Sequence, residues 1–240
     1  MAFLWRWLKG RRREPPFAII GHLHDLPTII DVWPEESDNH TLIEGQFNIR
    51  RITKAAAEFI GETCKTSATG MESEIQKFME VTHQDYLTKT ASTISAPVGA
   101  SLVVLVMGRV SKYNQTPLPQ WHVDPTVYIP ENEGEACNFY ATTLHGYPTM
   151  VLAEHGFTRK FRLRGFAPIP SHSDSDSVPN AKFLQPIETG DIIRFTSGQP
   201  DSPLHASGFR YDDQVFLRIC YGSEAQIRQH CDNWNRKYRG

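Results

Sequence analysis

The chain is poor in the features that announce many functions. Its four cysteines, Cys64, Cys137, Cys220 and Cys231, are widely spaced and form no CxxC pair. That argues against a zinc ribbon and leaves reduced thiols in a cytoplasm as the simplest account. There is no glycine-rich phosphate loop and no internal repeat, which argues against a P-loop nucleotide site and a solenoid. Neither sign of charge is in excess. The formal net charge is −2 over 240 residues, so nothing global points to nucleic acid. No apolar run is long enough to span a bilayer. What remains is an ordinary globular composition, 40% hydrophobic and 22% charged, in a length that suits one large mainly β domain with some helix, or at most two small domains.

The first residues, Met1 to Arg13, place apolar side chains before the charges, the reverse of a secretory signal. Two readings stand. Phe3, Leu4, Trp5, Trp7 and Leu8 can face lipid while the arginines face headgroups, or the segment packs on its own domain or frays. Next come two short extended pieces, within 17–33, around a turn. His22 and His24 fall beside Asp25 and Pro27 and read as surface histidines in a loop. Asp38 and Asn39 then precede a mixed segment to Ile52. Thr53 to Thr63 reads as a helix capped by Thr53. Met71 to Leu87 reads as a better one, with Ile75, Phe78, Met79 and Thr82 on one face.

After Pro97 the periodicity changes. Ser101 to Val110 is a β-branched run suited to a strand buried on both sides. Strand-like segments follow at Cys137–Leu144, Thr149–Ala153, Arg159–Ala167, Lys182–Ile187, Asp191–Thr196 and Gln214–Tyr221. Such a series is the pattern of a double-sheet jelly roll. The stretch Pro168–Pro179 is polar and bounded by prolines, and reads equally as a mobile lid or a solvated loop. Glu224 to Arg239 reads as a helix whose basic residues Arg228, Arg236, Lys237 and Arg239, with Trp234 and Tyr238, form a charged face in preference to a nucleic-acid contact.

The chemistry concentrates in Gln120-Trp121-His122-Val123-Asp124 and in Pro203-Leu204-His205. In a strand, residues i and i+2 share a face, so His122 and Asp124 aim an imidazole and a carboxylate at one point. His205 adds a second imidazole. Two histidines and a carboxylate form the facial set that holds Fe(II) and leaves positions open. Each histidine can also be a satisfied structural residue.

Taken in order, Tyr113, His122-x-Asp124, the phrase Glu188-Thr-Gly-Asp-Ile-Ile-Arg-Phe195, His205 after its proline and Arg218 resemble an Fe(II)- and 2-oxoglutarate-dependent oxygenase on the double-stranded β-helix (jelly roll, cupin-like) fold. Thr142 to Thr149, with Leu-His-Ala-Ser207 and Phe-Leu-Arg-Ile219, is similar to an uncharacterised bacterial domain family suspected of the same fold. The resemblance covers about residues 100–222. The N-terminal hundred residues match no family, and the change of periodicity near Pro97 divides one compact unit into an extended and helical buttress (1–96), a catalytic double-stranded β-helix (97–222) and a C-terminal helix (223–240). The resemblance implies a dioxygenase that uses Fe(II), 2-oxoglutarate and O2, with His122, Asp124 and His205 as metal ligands and catalytic centre; the cytoplasmic setting comes from the cysteines.

In that family an Arg or Lys on the strand after the distal His commonly binds the far carboxylate of 2-oxoglutarate, and the resemblance implies Arg218 by position, where a guanidinium fork matches a carboxylate. Arg210 competes for that role. Alternation leaves open that Arg218 faces solvent while Val215, Leu217 and Ile219 face inward. Tyr113 by position, and Tyr140 and Thr142 by sharing a strand face, are candidates for the co-substrate site. For the last two, core packing is the equal alternative. The resemblance implies oxidative decarboxylation to succinate and CO2, coupled to hydroxylation or a related C–H oxidation. The substrate is unidentified, and a small molecule is favoured over a protein. Two other readings remain: a cupin-like metal enzyme that does not use 2-oxoglutarate, and a β-sandwich binding module.

Overall fold

The structure is a computed structural model that describes residues 15–26, 29–32, 39–46, 48–66, 71–90, 102–110, 121–124, 137–152, 184–199, 201–206, 214–223, 225–229 and 232. It is mainly antiparallel β with two long helices. In chain order come β1 (Phe17–His22), β2 (Ile29–Val32), β3 (Asn39–Gln46), α1 (Ile49–Thr63), β4 (Cys64–Thr66) and α2 (Met71–Thr90). Then follow β5 (Leu102–Val110), β6 (Cys137–His145), β7 (Met150–Val151), β8 (Asp191–Ser197), β9 (His205–Ala206) and β10 (Gln214–Gly222). No described helix is long and apolar enough to cross a membrane.

The main sheet runs β1-β8-β6-β10-β5-β3, and β2 pairs with β4 separately. A smaller sheet is built on β7 and β9, with Val151 opposite His205. His122 bridges to the far side of β9, and Leu152 bridges to Leu184 on the far side of β7.

The main sheet is covered on both faces by side-chain alternation. Tyr140 and Leu144 of β6, Ile192 of β8, and Val215, Leu217, Ile219 and Tyr221 of β10 pack against the helices. From α1 come Ile52, Ala56 and Ile60, and from α2 Met71, Ile75, Phe78 and Met79. Each of these larger side chains contributes about 1.5–3 kcal/mol by leaving water. The alternate positions, Cys137, Phe139, Ala141, Ile193, Phe195 and Cys220, form a second cluster with Phe17 and Ile187.

Some elements depart from expectation. The first helix begins at Ile49 rather than Thr53, because Asn48 caps it: its Oδ1 accepts from Arg51 N at 3.0 Å. Thr53 is buried inside the helix. The N-terminal residues are more than a buttress, since β1 pairs with β8 and β3 with β5, one at each edge of the main sheet. β3 carries Asn39, His40, Thr41, Glu44 and Gln46, a polar edge strand with no clear apolar alternation. His22 is no loop histidine. It ends β1, and its Nδ1 lies 2.8 Å from Asp191 Oδ1. Gly190, at φ 94°, makes the turn into β8. A Cβ there would meet the Leu23 carbonyl at 2.8 Å, so glycine is required. The expected strand at 159–167 and the stretch 168–179 lie outside the described residues. Of the C-terminal helix, 225–229 is helical.

Candidate metal centre

The small sheet assembles the site. His122 and His205 exchange both backbone bonds, His122 N to His205 O and His205 N to His122 O, each at 2.9 Å. Residues that do so stand directly opposite, with side chains on one side. The two imidazoles lie together accordingly, ring centroids 4.4 Å apart. Asp124 is fixed through its carbonyl, which accepts from Gly198 N at 3.0 Å. Its carboxylate reaches both rings: Oδ1 is 3.7 Å from His122 Nε2, and Oδ2 is 3.6 Å from His205 Nε2. One ligand atom from each residue falls within 4.8 Å of the others.

The donor chemistry suits a cation. His205 Nδ1 lies 3.2 Å from the Pro203 carbonyl oxygen. A carbonyl accepts only, so Nδ1 carries the proton and Nε2 presents its lone pair. That lone pair faces a carboxylate oxygen, itself an electron-pair donor, and a cation between them relieves the conflict. Burial pushes His205 down to about 4 from the usual 6.5; the Asp124 charge opposes this, and His122 and Arg218 reinforce it. The ring is therefore neutral near pH 7, the form a metal requires. With bonds of about 2.1 Å, ligand atoms sit ~3.0–3.4 Å apart in octahedral or tetrahedral geometry. The observed 3.6 and 3.7 Å run to different carboxylate oxygens, and the ligand atoms of the set lie within 4.8 Å of one another, so the three side chains must draw together to close on an ion. His122, Asp124 and His205 can hold a metal ion. Asp124 and His205 are buried, whereas the His122 side chain is 50% exposed, so the centre opens on that side.

Arg218 enters from the main sheet. It pairs with Ala141 across β10 and β6, while Leu217 and Ile219 pair with Thr142 and Tyr140. Cross-strand partners share a face, so Arg218 points away from the helices. Its Nη2 lies 3.0 Å from Asp124 Oδ2. Its guanidinium carbon stands 3.7 Å from the centre of the Phe139 ring. Phe139 continues to Phe195 (5.7 Å between centroids), and Phe195 to the His205 ring (4.8 Å). An aromatic wall thus joins the arginine to a ligand histidine.

The same parity corrects two assignments. Tyr140 and Thr142 lie on the helix side of the sheet, opposite Arg218. The Tyr140 hydroxyl donates to Asp85 Oδ2 at 3.0 Å, and Thr142 is buried on that face. Neither lines the centre, because even-numbered residues of β6 face the helices here. His145 closes β6 opposite Val215. Tyr113 and Arg210 lie outside the described residues. Sequence reasoning missed Phe139, Phe195 and the Pro203 carbonyl. The two phenylalanines had a readable signal, since they occupy the positions alternate to the helix-facing residues.

Comparison with protein-family models finds no match, and comparison with curated proteins finds no relative. The reading of the site rests on its own geometry.

Proposed function

We propose that the chain is an Fe(II)- and 2-oxoglutarate-dependent oxygenase acting on a small-molecule substrate. The observation that carries this reading is the placement of Arg218. A carboxylate-binding fork stands beside two histidines and an aspartate able to hold a metal.

The strand pairings support a double-stranded β-helix. β5, β10, β6 and β8 lie side by side, and so do 122, β9, β7 and 184. The chain passes between the two sets as it proceeds, as it does in a jelly roll. A cytoplasmic setting, expected from the cysteine spacing, belongs to the same proposal.

His122, Asp124 and His205 would hold Fe(II). When bound, the ion with O2 and the oxo acid supplies the oxidative decarboxylation and the C–H oxidation. The protein's part is positional. Pro203 holds the His205 tautomer, and Arg218 receives a carboxylate. The Phe139 and Phe195 rings keep water from the closed side, and the exposed edge of His122 leaves room for the substrate.

The test is succinate production from 2-oxoglutarate under aerobic Fe(II) and ascorbate. Slow uncoupled turnover is expected in wild type and its loss in His122→Ala. Succinate at background in wild type would sink the reading and favour a metal enzyme that does not use the oxo acid.

A further inference from the structure

Arg218 stands where the site and its proposed co-substrate compete for space. A 2-oxo diacid that chelates an ion through C1 and C2 carries its far carboxyl carbon ~4 Å beyond C2. The guanidinium lies 3.0 Å from Asp124 Oδ2, inside that reach. The same oxygen is 3.6 Å from His205 Nε2. A divalent ion and a guanidinium drawn to one oxygen repel each other strongly in a buried site. Asp124 is buried, and a buried carboxylate keeps its charge only beside a compensating one. Arg218 supplies it.

Two further features bear on movement. Arg218 stacks on the flat face of Phe139, which holds the plane of the guanidinium while letting it slide within that plane. Its Nε is buried with no hydrogen-bond partner among the described residues. Nη2 meets Asp124 Oδ2 as an ion pair, and the buried Nε remains as a donor for another acceptor.

We propose that Arg218 serves two carboxylates in turn. It holds Asp124 until a divalent cation takes over that charge, and then slides along Phe139 to receive the carboxylate of an organic acid. The identity of the acid rests on the oxygenase reading; the exchange itself needs only Asp124, Arg218 and a cation. Acid binding is then coupled to the metal even for an acid that lacks the chelating 2-oxo group.

Glutarate is the probe, titrated calorimetrically into the full chain with and without Mn(II). In wild type, Mn(II) should raise glutarate affinity at least tenfold. Arg218→Gln should remove that gain, which excludes direct attachment of glutarate to the ion. Asp124→Asn keeps the shape of the side chain and removes its charge. It should bind glutarate without metal about as well as metal-loaded wild type.

Were Asp124 instead to coordinate through Oδ1 and keep Arg218 on Oδ2, Mn(II) would not raise glutarate affinity in wild type, and the exchange would be wrong. Should Asp124→Asn not fold, the wild-type and Arg218→Gln titrations still decide. Equal affinity with and without Mn(II), or an undiminished gain in Arg218→Gln, overturns the proposal. Coupling without succinate formation would retain the exchange and reject the oxygenase. Succinate without coupling would do the reverse.

Discussion

The face of β6 turned away from the candidate metal centre offers a sharp test of the structure. Tyr140 is fully buried and donates its hydroxyl to Asp85 Oδ2 at 3.0 Å, while Arg194 Nε lies 3.6 Å from the same oxygen. Burial, followed by the Asp85 charge and hydrogen bond, raises the Tyr140 phenol far above its usual range, so it remains a donor. The side chains of Arg194 and Asp85 are 6% and 18% exposed. Removing one partner of such a pair costs about 3–5 kcal/mol, because the other charge stays buried. The residual exposure of Asp85 places Asp85→Ala at the low end. Tyr140→Phe removes one hydrogen bond to a charged acceptor, about 1.5–3 kcal/mol.

At about 2–4 °C per kcal/mol for a chain of this size, Asp85→Ala should lower the melting temperature by roughly 6–12 °C and Tyr140→Phe by roughly 3–12 °C. The double variant should lose little more than Asp85→Ala alone, since the hydroxyl then has no acceptor to miss. Urea titration of all four proteins measures this. Additive losses, or an Asp85→Ala cost under about 1 kcal/mol, would refute the network. Because Tyr140 and Arg218 lie on opposite faces, Tyr140→Phe should also leave any Mn(II)-induced rise in melting temperature intact. Loss of that rise would refute the face assignment.

Two other outcomes follow from single groups. In chelator-treated protein His205 takes up a proton near pH 4 when folded and near 6.5 when unfolded. The unfolded chain binds the proton more readily between these values, so stability is lost as pH falls from 6.5 towards 4, by up to about 3 kcal/mol. His205→Gln should flatten that part of the melting curve against pH, and an unchanged slope would show that another group carries it. Gly190→Ala forces a Cβ to 2.8 Å from the Leu23 carbonyl at positive φ and should cost about 1–3 kcal/mol. A denaturation midpoint equal to wild type would mean that the turn relaxes freely.

How far the site was legible in the sequence depended on the kind of information each residue carries. His122 and Asp124 declare themselves because the i, i+2 spacing is local. His205 required a guess across most of the chain, supported by the proline two residues before it; the structure brings it to His122 through one backbone bridge. Arg218 was ambiguous for a physical reason. A strand with apolar residues at 215, 217 and 219 reads as having one buried face, which makes the other face look wet. Here the helices cover one face and the second cluster covers the other, so alternation alone cannot say which side holds the chemistry. The same ambiguity misplaced Tyr140 and Thr142, whose neighbours Phe139 and Ala141 take the inward side. The helix start was missed because Asn48 caps across residues with little apolar pattern, and β3 because an edge strand needs none.

The double covering of the sheet also explains how stability and chemistry can coexist within one strand. Along β10, Leu217 and Ile219 are held by α1 and α2, while Arg218 between them reaches Asp124. The backbone position of Arg218 is therefore set from the helix side. Its guanidinium depends on Phe139, Asp124 and whatever acid it meets. A rigid root with a freer tip is what an exchange between two carboxylates requires: the strand cannot follow the guanidinium, so movement is confined to the side chain. His205 shows the opposite arrangement. Its ring is fixed at Nδ1 by Pro203 and against Phe195, with both backbone groups tied to His122. His205 is thus held in place before any ligand arrives, while the half-exposed His122 ring and the tip of Arg218 keep freedom to adjust.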